Sequence, residues 1–185
     1  ANVWDLSLRL RGQLGTDALM PEVWPAGSTV VLLDEAPEQI LLAASARGLA
    51  RHYRIGSARR GYDDPSYVHE VLAFRGAGLR PLSPCHLRAA RGAAGWDLSW
   101  VRRTRIDGDS WDGYEVPLGE ASELYLVRVS AGTIVRREAT VSTPAWSYSL
   151  AQAAADGISG AFTVEVMQIS DVFGPGLAAR IALAP

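Results

Sequence analysis

The fold is decided by two short runs of sequence, Trp96-Asp-Leu-Ser-Trp100 and Tyr125-Leu-Val-Arg-Val129. In both runs a large apolar side chain returns at every second position, and Phe162-Thr-Val-Glu-Val166 repeats the pattern. Successive side chains of a β-strand point to opposite faces, so this alternation predicts strands that each carry one apolar face. Apolar faces need partners. The sequence therefore predicts two stacked sheets in the C-terminal half.

Other stretches of this half fit the same architecture. Thr133–Val141 and Ala179–Leu183 are further strand candidates, and Trp146, Tyr148 and Leu150 form another alternating set. This gives about seven short strands in roughly 100 residues, the profile of an immunoglobulin-like sandwich. The single cysteine, Cys85, excludes an internal disulfide, so the stability of the sandwich has to come from packing.

The first 80 residues predict a small, mostly β domain. The strand candidates are 3–10, 29–34, 52–56 and 67–74, while 39–49 fits either a strand edge or a helical turn. A barrel and a small sandwich both remain open for this domain. Leu79-Arg-Pro-Leu-Ser-Pro84 favours an extended connection, because proline removes a backbone donor and restricts the residue before it. The predicted domains are therefore 1–80 and 81–185.

Composition limits the partners of the chain. The 185 residues are 48% hydrophobic and carry a formal net charge of −2. The apolar fraction is enough for a packed core, and the slightly negative balance argues against general nucleic-acid binding. No apolar run approaches the roughly 20 residues of a membrane helix, so no membrane insertion is expected. The fold class predicted from these features is all-β.

Four motifs resemble strands of a fibronectin type III domain. Pro84-x-x-Leu-x-Ala89, Leu98-x-Trp100, Tyr125-x-Val-x-Val129 and Phe162-x-Val-x-Val166 are similar to its strands A, B, C and F. The resemblance implies a fibronectin type III-like β-sandwich over 81–185. The chain departs from that family at Phe162, where a tyrosine usually ties the corner between strands E and F. Loss of that hydroxyl removes one hydrogen bond, worth about 1 kcal/mol net.

A second resemblance covers more of the chain. Leu79-Arg-Pro-Leu-Ser-Pro-x-His-Leu-Arg-Ala89, Trp100-x-Arg-Arg-Thr-Arg-Ile-Asp-Gly-Asp-Ser-Trp111 and Val116-Pro-Leu-Gly-Glu120 resemble the C-terminal end of baseplate multidomain, or host-specificity, proteins of gene transfer agents and related phage tails. That family carries a glycosidase-like barrel, which would precede this segment. The resemblance implies a virion component at the tail tip, made in the bacterial cytoplasm. Its partners would be other tail or baseplate proteins and a cell-surface glycan or protein.

The candidate binding surface lies on two loops. In a fibronectin-like topology the B–C loop (107–119) and the F–G loop (170–176) emerge at one end, which predicts a shared surface formed by Trp111, Asp112, Tyr114, Asp171 and Phe173. Trp111 either stacks on a sugar or anchors an interface, or it folds back over the end of the sandwich; the second alternative is favoured. Asp107–Asp112 fails the calcium-loop pattern, so a solvated turn is expected there.

Catalytic and metal-binding patterns are not met elsewhere. His69-Glu70 lacks the second histidine of a zinc-protease helix, and adjacent Cys85 and His86 in a strand point to opposite faces. No metal and no cofactor are expected. Arg102, Arg103 and Arg105 could form an anion patch, but a face paired with carboxylates such as Glu123 or Glu138 is favoured.

Two functions remain after these exclusions. The favoured one is a non-catalytic structural and adhesion module of a phage-like tail tip, and no enzyme activity is expected because no acid–base or nucleophile constellation converges. The alternative is a carbohydrate-binding accessory module of a glycan-degrading enzyme, which requires an exposed, flat Trp111 close to carboxylates.

Overall fold

The computed structural model describes residues 5, 7–32, 34–35, 37–108 and 116–184. The chain forms two compact units, one of residues 21–77 and one that joins 1–20 to 78–185. The strands are β1 (Ala50–Ile55), β2 (Val68–Ala73), β3 (Cys85–Gly92), β4 (Gly95–Val101), β5 (Tyr125–Ala131), β6 (Ile134–Val141), β7 (Ala145–Ser149), β8 (Phe162–Ser170) and β9 (Gly174–Leu183). One α-helix, α1 (Leu150–Ala155), follows β7, and short 3-10 turns lie at Gln13–Gly15, Asp17–Leu19, Ala44–Ala46 and Ala77–Leu79.

The larger unit is a two-sheet sandwich. One sheet has the order β3-β4-β7 and the other the order β6-β5-β8-β9, and all neighbouring strands are antiparallel. This division of seven strands into three and four is the arrangement expected of a fibronectin type III-like domain. The predicted all-β fold class is therefore confirmed.

The core forms where the alternating runs face each other. Along β4, Trp96, Leu98 and Trp100 are buried while the intervening Asp97 and Ser99 are exposed. The opposite sheet contributes Tyr125, Val127, Val129, Val164 and Val166, all fully buried. Each large apolar side chain removed from water in this way contributes about 1.5–3 kcal/mol.

Aromatic side chains join the two sheets at both ends of β4. The rings of Trp96 and Phe162 meet edge to face with centroids 5.1 Å apart, and Trp100 meets Tyr125 in the same manner at 5.2 Å. Such edge-to-face pairs contribute about 0.5–1.5 kcal/mol beyond the area they bury. The tryptophans therefore fix the alignment of β4 across β5 and β8.

A polar joint closes the edge of the sandwich beside α1. The Arg137 guanidinium of β6 donates to both carboxylate oxygens of Asp156, at 2.7 and 2.9 Å, and the Tyr148 hydroxyl of β7 donates to the same carboxylate at 2.7 Å. Because β6 and β7 belong to different sheets, this joint connects the sheets without the corner tyrosine that Phe162 replaces. A capping box between Ser149 and Gln152 starts α1 and leads the chain to Asp156.

The segment before β3 packs against β9. Pro81 is buried, its carbonyl accepts a hydrogen bond from the Leu177 amide at 3.1 Å, and a side chain at Gly176 would collide with it. The neighbouring Arg80 donates to the Gly15 carbonyl at 3.2 Å. The proline-rich connection predicted here is thus part of the larger unit. The predicted division into folding domains at residue 80 stays a prediction.

Residues 21–77 contain a two-stranded antiparallel ribbon, in which β1 pairs with β2 from Ala50 opposite Ala73 to Ile55 opposite Val68. The predicted strands 52–56 and 67–74 correspond to this ribbon. The predictions of strands at 3–10 and 29–34 are wrong for the described residues of those ranges, which adopt no strand. An apolar run becomes a strand only where another strand completes its hydrogen bonds. The segment 39–49, left open above, contains the 3-10 turn Ala44–Ala46.

Replacing Gly95 by alanine should destabilise the sandwich strongly. Gly95 has a φ of +145°, and an added Cβ would overlap the Tyr148 carbonyl oxygen and lie 2.7 Å from the Ser149 Cα. We expect Gly95→Ala to lower the free energy of unfolding by about 3 kcal/mol or more, since β4 and β7 must separate to admit the methyl group. Urea unfolding followed by tryptophan fluorescence measures this loss. Gly160→Ala, where the added methyl meets nothing within 4 Å, is the matched control and should stay near the wild type.

The joint at Asp156 makes stability depend on pH in the acid range. Hydrogen bonds from the Arg137 guanidinium, and a further one from Tyr148, hold the pKa of the Asp156 carboxyl below its ordinary value despite partial burial. The stabilisation is therefore present above the unfolded-state pKa of about 3.9 and is lost as the pH falls through the lower folded-state pKa. Asp156→Asn should lose about 1–3 kcal/mol at pH 7 and show a weaker decline in acid. Unfolding curves between neutral and acid pH measure both effects. Asp171→Asn, in an exposed turn, is the control, and equal acid dependence in all three proteins would contradict the assignment.

Candidate functional site

The loop end of the sandwich is the end that carries residues 102–108, 116–124 and 171–173. Tyr125 at the start of β5 pairs with Gln168 near the end of β8, so the β4–β5 and β8–β9 connections emerge on the same side. Loops on a rigid scaffold are where binding residues concentrate. The loop end is therefore the first place to look for a binding surface.

The residues predicted to form this surface are only partly described. Asp171 is exposed and Phe173 half-buried, and both belong to the turn 171–173, where the Val172 amide donates to the Ser170 hydroxyl at 3.3 Å. Trp111, Asp112 and Tyr114 lie outside the described residues. The shared surface of all five residues stays a prediction.

Arg102 and Arg105, which follow β4, donate hydrogen bonds that hold the loop end in place. Arg102 donates to the carbonyls of Val116 and Pro117 at 2.6 and 2.9 Å. Arg105 donates to Glu120 Oε1 at 2.9 Å and makes longer contacts, at 3.4 Å each, with the carbonyls of Gly78 and Gly119. An anion patch is thus wrong for Arg102 and Arg105, because their donors are directed at groups of the same chain.

The carboxylate partners also differ from the expected ones. Arg105 pairs with Glu120, whereas Glu123 accepts the Tyr125 hydroxyl at 2.7 Å and Glu138 pairs with Arg128 at 2.7 Å. The Glu120 side chain is only 3% exposed, whereas that of Glu138 is 48% exposed. A buried carboxylate needs a charged partner, and the Arg105 guanidinium supplies it.

Two buried acceptors beneath the loop end have no hydrogen-bond partner among the described residues. They are Glu120 Oε2 and Gln168 Oε1. Burial also raises the pKa of the Tyr125 hydroxyl, which keeps it protonated as a donor toward Glu123. These polar groups are therefore enclosed beneath the loop end and are not part of its accessible surface.

The outer face of the four-stranded sheet carries a ladder of opposite charges. Arg128 on β5 lies between Glu138 on β6 and Glu165 on β8, and Glu165 also pairs with Arg180 on β9 at 2.6 Å. A cleft of about 410 Å³ lies beside this ladder, lined also by Asp17 and other residues of the same unit. Exposed pairs of this kind contribute little stability and mainly keep the face hydrated.

Two pairs of residues were not found from the sequence. Arg105 and Glu120 meet across a long connection, a contact that no local pattern indicates. His52 and His69 lie on neighbouring strands with ring nitrogens 3.0 Å apart. The sequence does contain one signal for this pair: if the predicted strands 52–56 and 67–74 are paired as a hairpin, the two histidines come close together. Within the described residues, no group of three or more His, Cys, Asp or Glu is placed to hold a metal ion.

These features define the larger unit as a fibronectin type III-like sandwich. A family model described as Rcc01698-like, C-terminal matches residues 1–31. Among solved structures, domains d3–d4 of the rat CD45 extracellular region are similar at 10% identity and a TM-score of 0.40, over 100% of this chain and 87% of that one. A search of curated proteins finds no match. Among the described residues there is no helix with the length and apolar character needed to cross a membrane.

Removing Arg105 should destabilise the loop end far more than removing an arginine of the outer ladder. Arg105→Ala leaves the buried Glu120 carboxylate without its cation, and we expect a loss of about 3–5 kcal/mol of unfolding free energy. Arg128→Ala, in the solvated ladder, is the matched control and should cost about 1 kcal/mol or less. Chemical unfolding of both variants at neutral pH gives the comparison. Replacing both partners, as Arg105→Met with Glu120→Leu, should recover most of the lost stability. Equal losses in the two alanine variants would contradict a stabilising role for the Arg105–Glu120 ion pair.

Proposed function

We propose that the chain is a non-catalytic structural and adhesion module of a phage-like tail tip, of the gene transfer agent type, that contacts neighbouring tail subunits or the host cell envelope. The observation that carries the proposal is the apolar surface of residues 21–77. Leu41 is 86% exposed and Val23 is 80% exposed, whereas the core valines of the sandwich are fully buried. Large apolar side chains left in water to this extent are expected where another protein covers them.

The β1–β2 ribbon of this unit also leaves apolar side chains exposed to water. Ile55, Val68 and Leu72 lie on one face of the β1–β2 pair, and each is more than half exposed. A two-stranded ribbon is marginally stable in water unless another element covers one face. A neighbouring tail subunit would supply that cover, so assembly and ordering of this unit would be coupled.

The sandwich suits a passive role in such a module. Its core is closed by aromatic pairs, and its loop end is held by Arg102 and Arg105, so the module presents loops from a rigid frame. The family match over residues 1–31 supports the tail-tip setting, because the name of that family is associated with gene transfer agents. The sequence motifs quoted above support the same setting.

The carbohydrate-binding alternative depends on Trp111. That residue lies outside the described residues, and no contact described above favours a sugar site. The alternative therefore stays a prediction from the sequence.

Charges placed at the apolar positions of the ribbon face that carries Ile55, Val68 and Leu72, beside the existing Arg51 and Glu70, should block assembly. Val68→Asp with Leu72→Asp puts two carboxylates where a partner would exclude water, and we expect at least a ~10-fold loss of chain incorporated into particles, the effect of about 1.4 kcal/mol. Because both side chains are exposed in the isolated chain, its sandwich should unfold at an unchanged temperature. Quantitative immunoblotting of purified particles and calorimetry of the chain measure the two effects. Ala58→Asp, on an exposed turn of the same unit, is the matched control. Wild-type incorporation of the double variant would refute the proposed docking face.

A further inference from the structure

We propose that His52 and His69 form a two-histidine site for a divalent transition-metal ion, with Cu²⁺ or Ni²⁺ as the ions that the geometry fits. The site goes beyond the tail-tip role and does not depend on it. His52 lies on β1 opposite Val71, and His69 lies on β2 opposite Arg54. Directly opposed residues share a face of an antiparallel ribbon, so both imidazoles project from the same face as diagonal neighbours.

The two rings point a nitrogen at each other. Nδ1 of His52 and Nε2 of His69 are 3.0 Å apart, the ring planes are within 9° of parallel, and the ring centroids are 5.2 Å apart. Both side chains are exposed, so solvent and ions reach them. The rings therefore meet edge to edge, with one N–H directed at the nitrogen of the other ring.

The distance between the nitrogens suits two adjacent ligands of one metal ion. Imidazole nitrogens bind metal ions at about 2.0–2.1 Å. For an ion at this distance from two nitrogens that are 3.0 Å apart, the nitrogen–metal–nitrogen angle is roughly 90°. Adjacent ligands in square-planar and octahedral complexes make this angle, whereas a tetrahedral ion needs a wider one. Tetragonal nitrogen coordination favours Cu²⁺ and Ni²⁺ over Zn²⁺, and water would occupy the remaining positions.

Metal binding needs a proton to move, and the exposed rings allow it. A neutral pair shares one N–H between the facing nitrogens, and either ring can be the donor, depending on its tautomer. The donor ring transfers that proton, through water, to its own outer nitrogen, which leaves a lone pair on each facing nitrogen. Each lone pair then forms a bond to the ion after its ring turns by roughly 45° away from the line that joins the two nitrogens, a change that the exposed side chains allow. No oxidant or reductant is required.

The charges around the pair set the strength of the site. Arg54 lies directly opposite His69 on the same face, and its guanidinium lies 6.0 Å from the centre of the Tyr67 ring. A nearby positive charge weakens cation binding. Glu70 projects from the other face of the ribbon, opposite Tyr53, and does not offset it. Removing the Arg54 charge should therefore strengthen metal binding.

Titration of the full chain with CuCl₂ and NiCl₂, produced without a histidine tag, tests the site. We expect one equivalent of Cu²⁺ to bind, with an affinity order Cu²⁺ > Ni²⁺ > Mn²⁺ and no competition from Mg²⁺. His52→Ala and His69→Ala should each lower the Cu²⁺ affinity at least ~10-fold, as loss of a ligand requires. The nitrogen hyperfine pattern in the Cu²⁺ electron paramagnetic resonance spectrum should change from two imidazoles to one.

Two matched variants distinguish metal binding at His52 and His69 from metal binding elsewhere in the chain. His86→Ala removes the third histidine of the chain and should leave the affinity unchanged, while Arg54→Gln should raise it. The proposal is overturned if His86→Ala abolishes binding, if His52→Ala and His69→Ala bind like the wild type, or if no saturable binding occurs below about 1 mM metal. The circular dichroism of each variant verifies that the ribbon is retained.

Discussion

The sandwich depends on one constraint, that two apolar sheet faces must cover each other. Trp96, Leu98 and Trp100 from β4 meet Tyr125 and Val127 from the opposite sheet, and all are shielded from water. Several other contacts of the larger unit support this closure. The Arg137–Asp156–Tyr148 joint connects the sheets at one edge, Pro81 packs beneath β9, and Arg105 neutralises the acid buried beneath the loops.

The sequence predicts the sandwich well because period-two alternation is a local signal with a single structural meaning. The strands at Trp96–Trp100, Tyr125–Val129 and Phe162–Val166 carry it without interruption, and the structure buries their apolar positions. Helix α1 was not predicted, because its six alanine-rich residues show no helical periodicity of apolar side chains. The Ser149-x-x-Gln152 capping box was nevertheless readable in the sequence.

The same reasoning fails for the apolar runs of 3–10 and 29–34. A run such as 29–32 has strand-like composition, but composition does not specify a neighbouring strand. The described residues of these runs are exposed and belong to no sheet. The candidate site is likewise only partly predictable from the sequence. The shared end of two loops follows from topology, whereas the Arg105–Glu120 ion pair and the His52–His69 pair depend on contacts between distant residues. Spacing along the chain does not reveal those contacts unless strand register is assigned first.

The position of Arg137 has a consequence for how the molecule behaves among its own copies. β6 is an edge strand of its sheet, and an uncovered edge offers free backbone donors and acceptors to any other strand. Its Arg137 bonds to Asp156, a carboxylate outside the sheet. The ion pair therefore ties this edge strand, through the carboxylate it shares with Tyr148, to the opposite sheet, and protonation of Asp156 weakens that attachment.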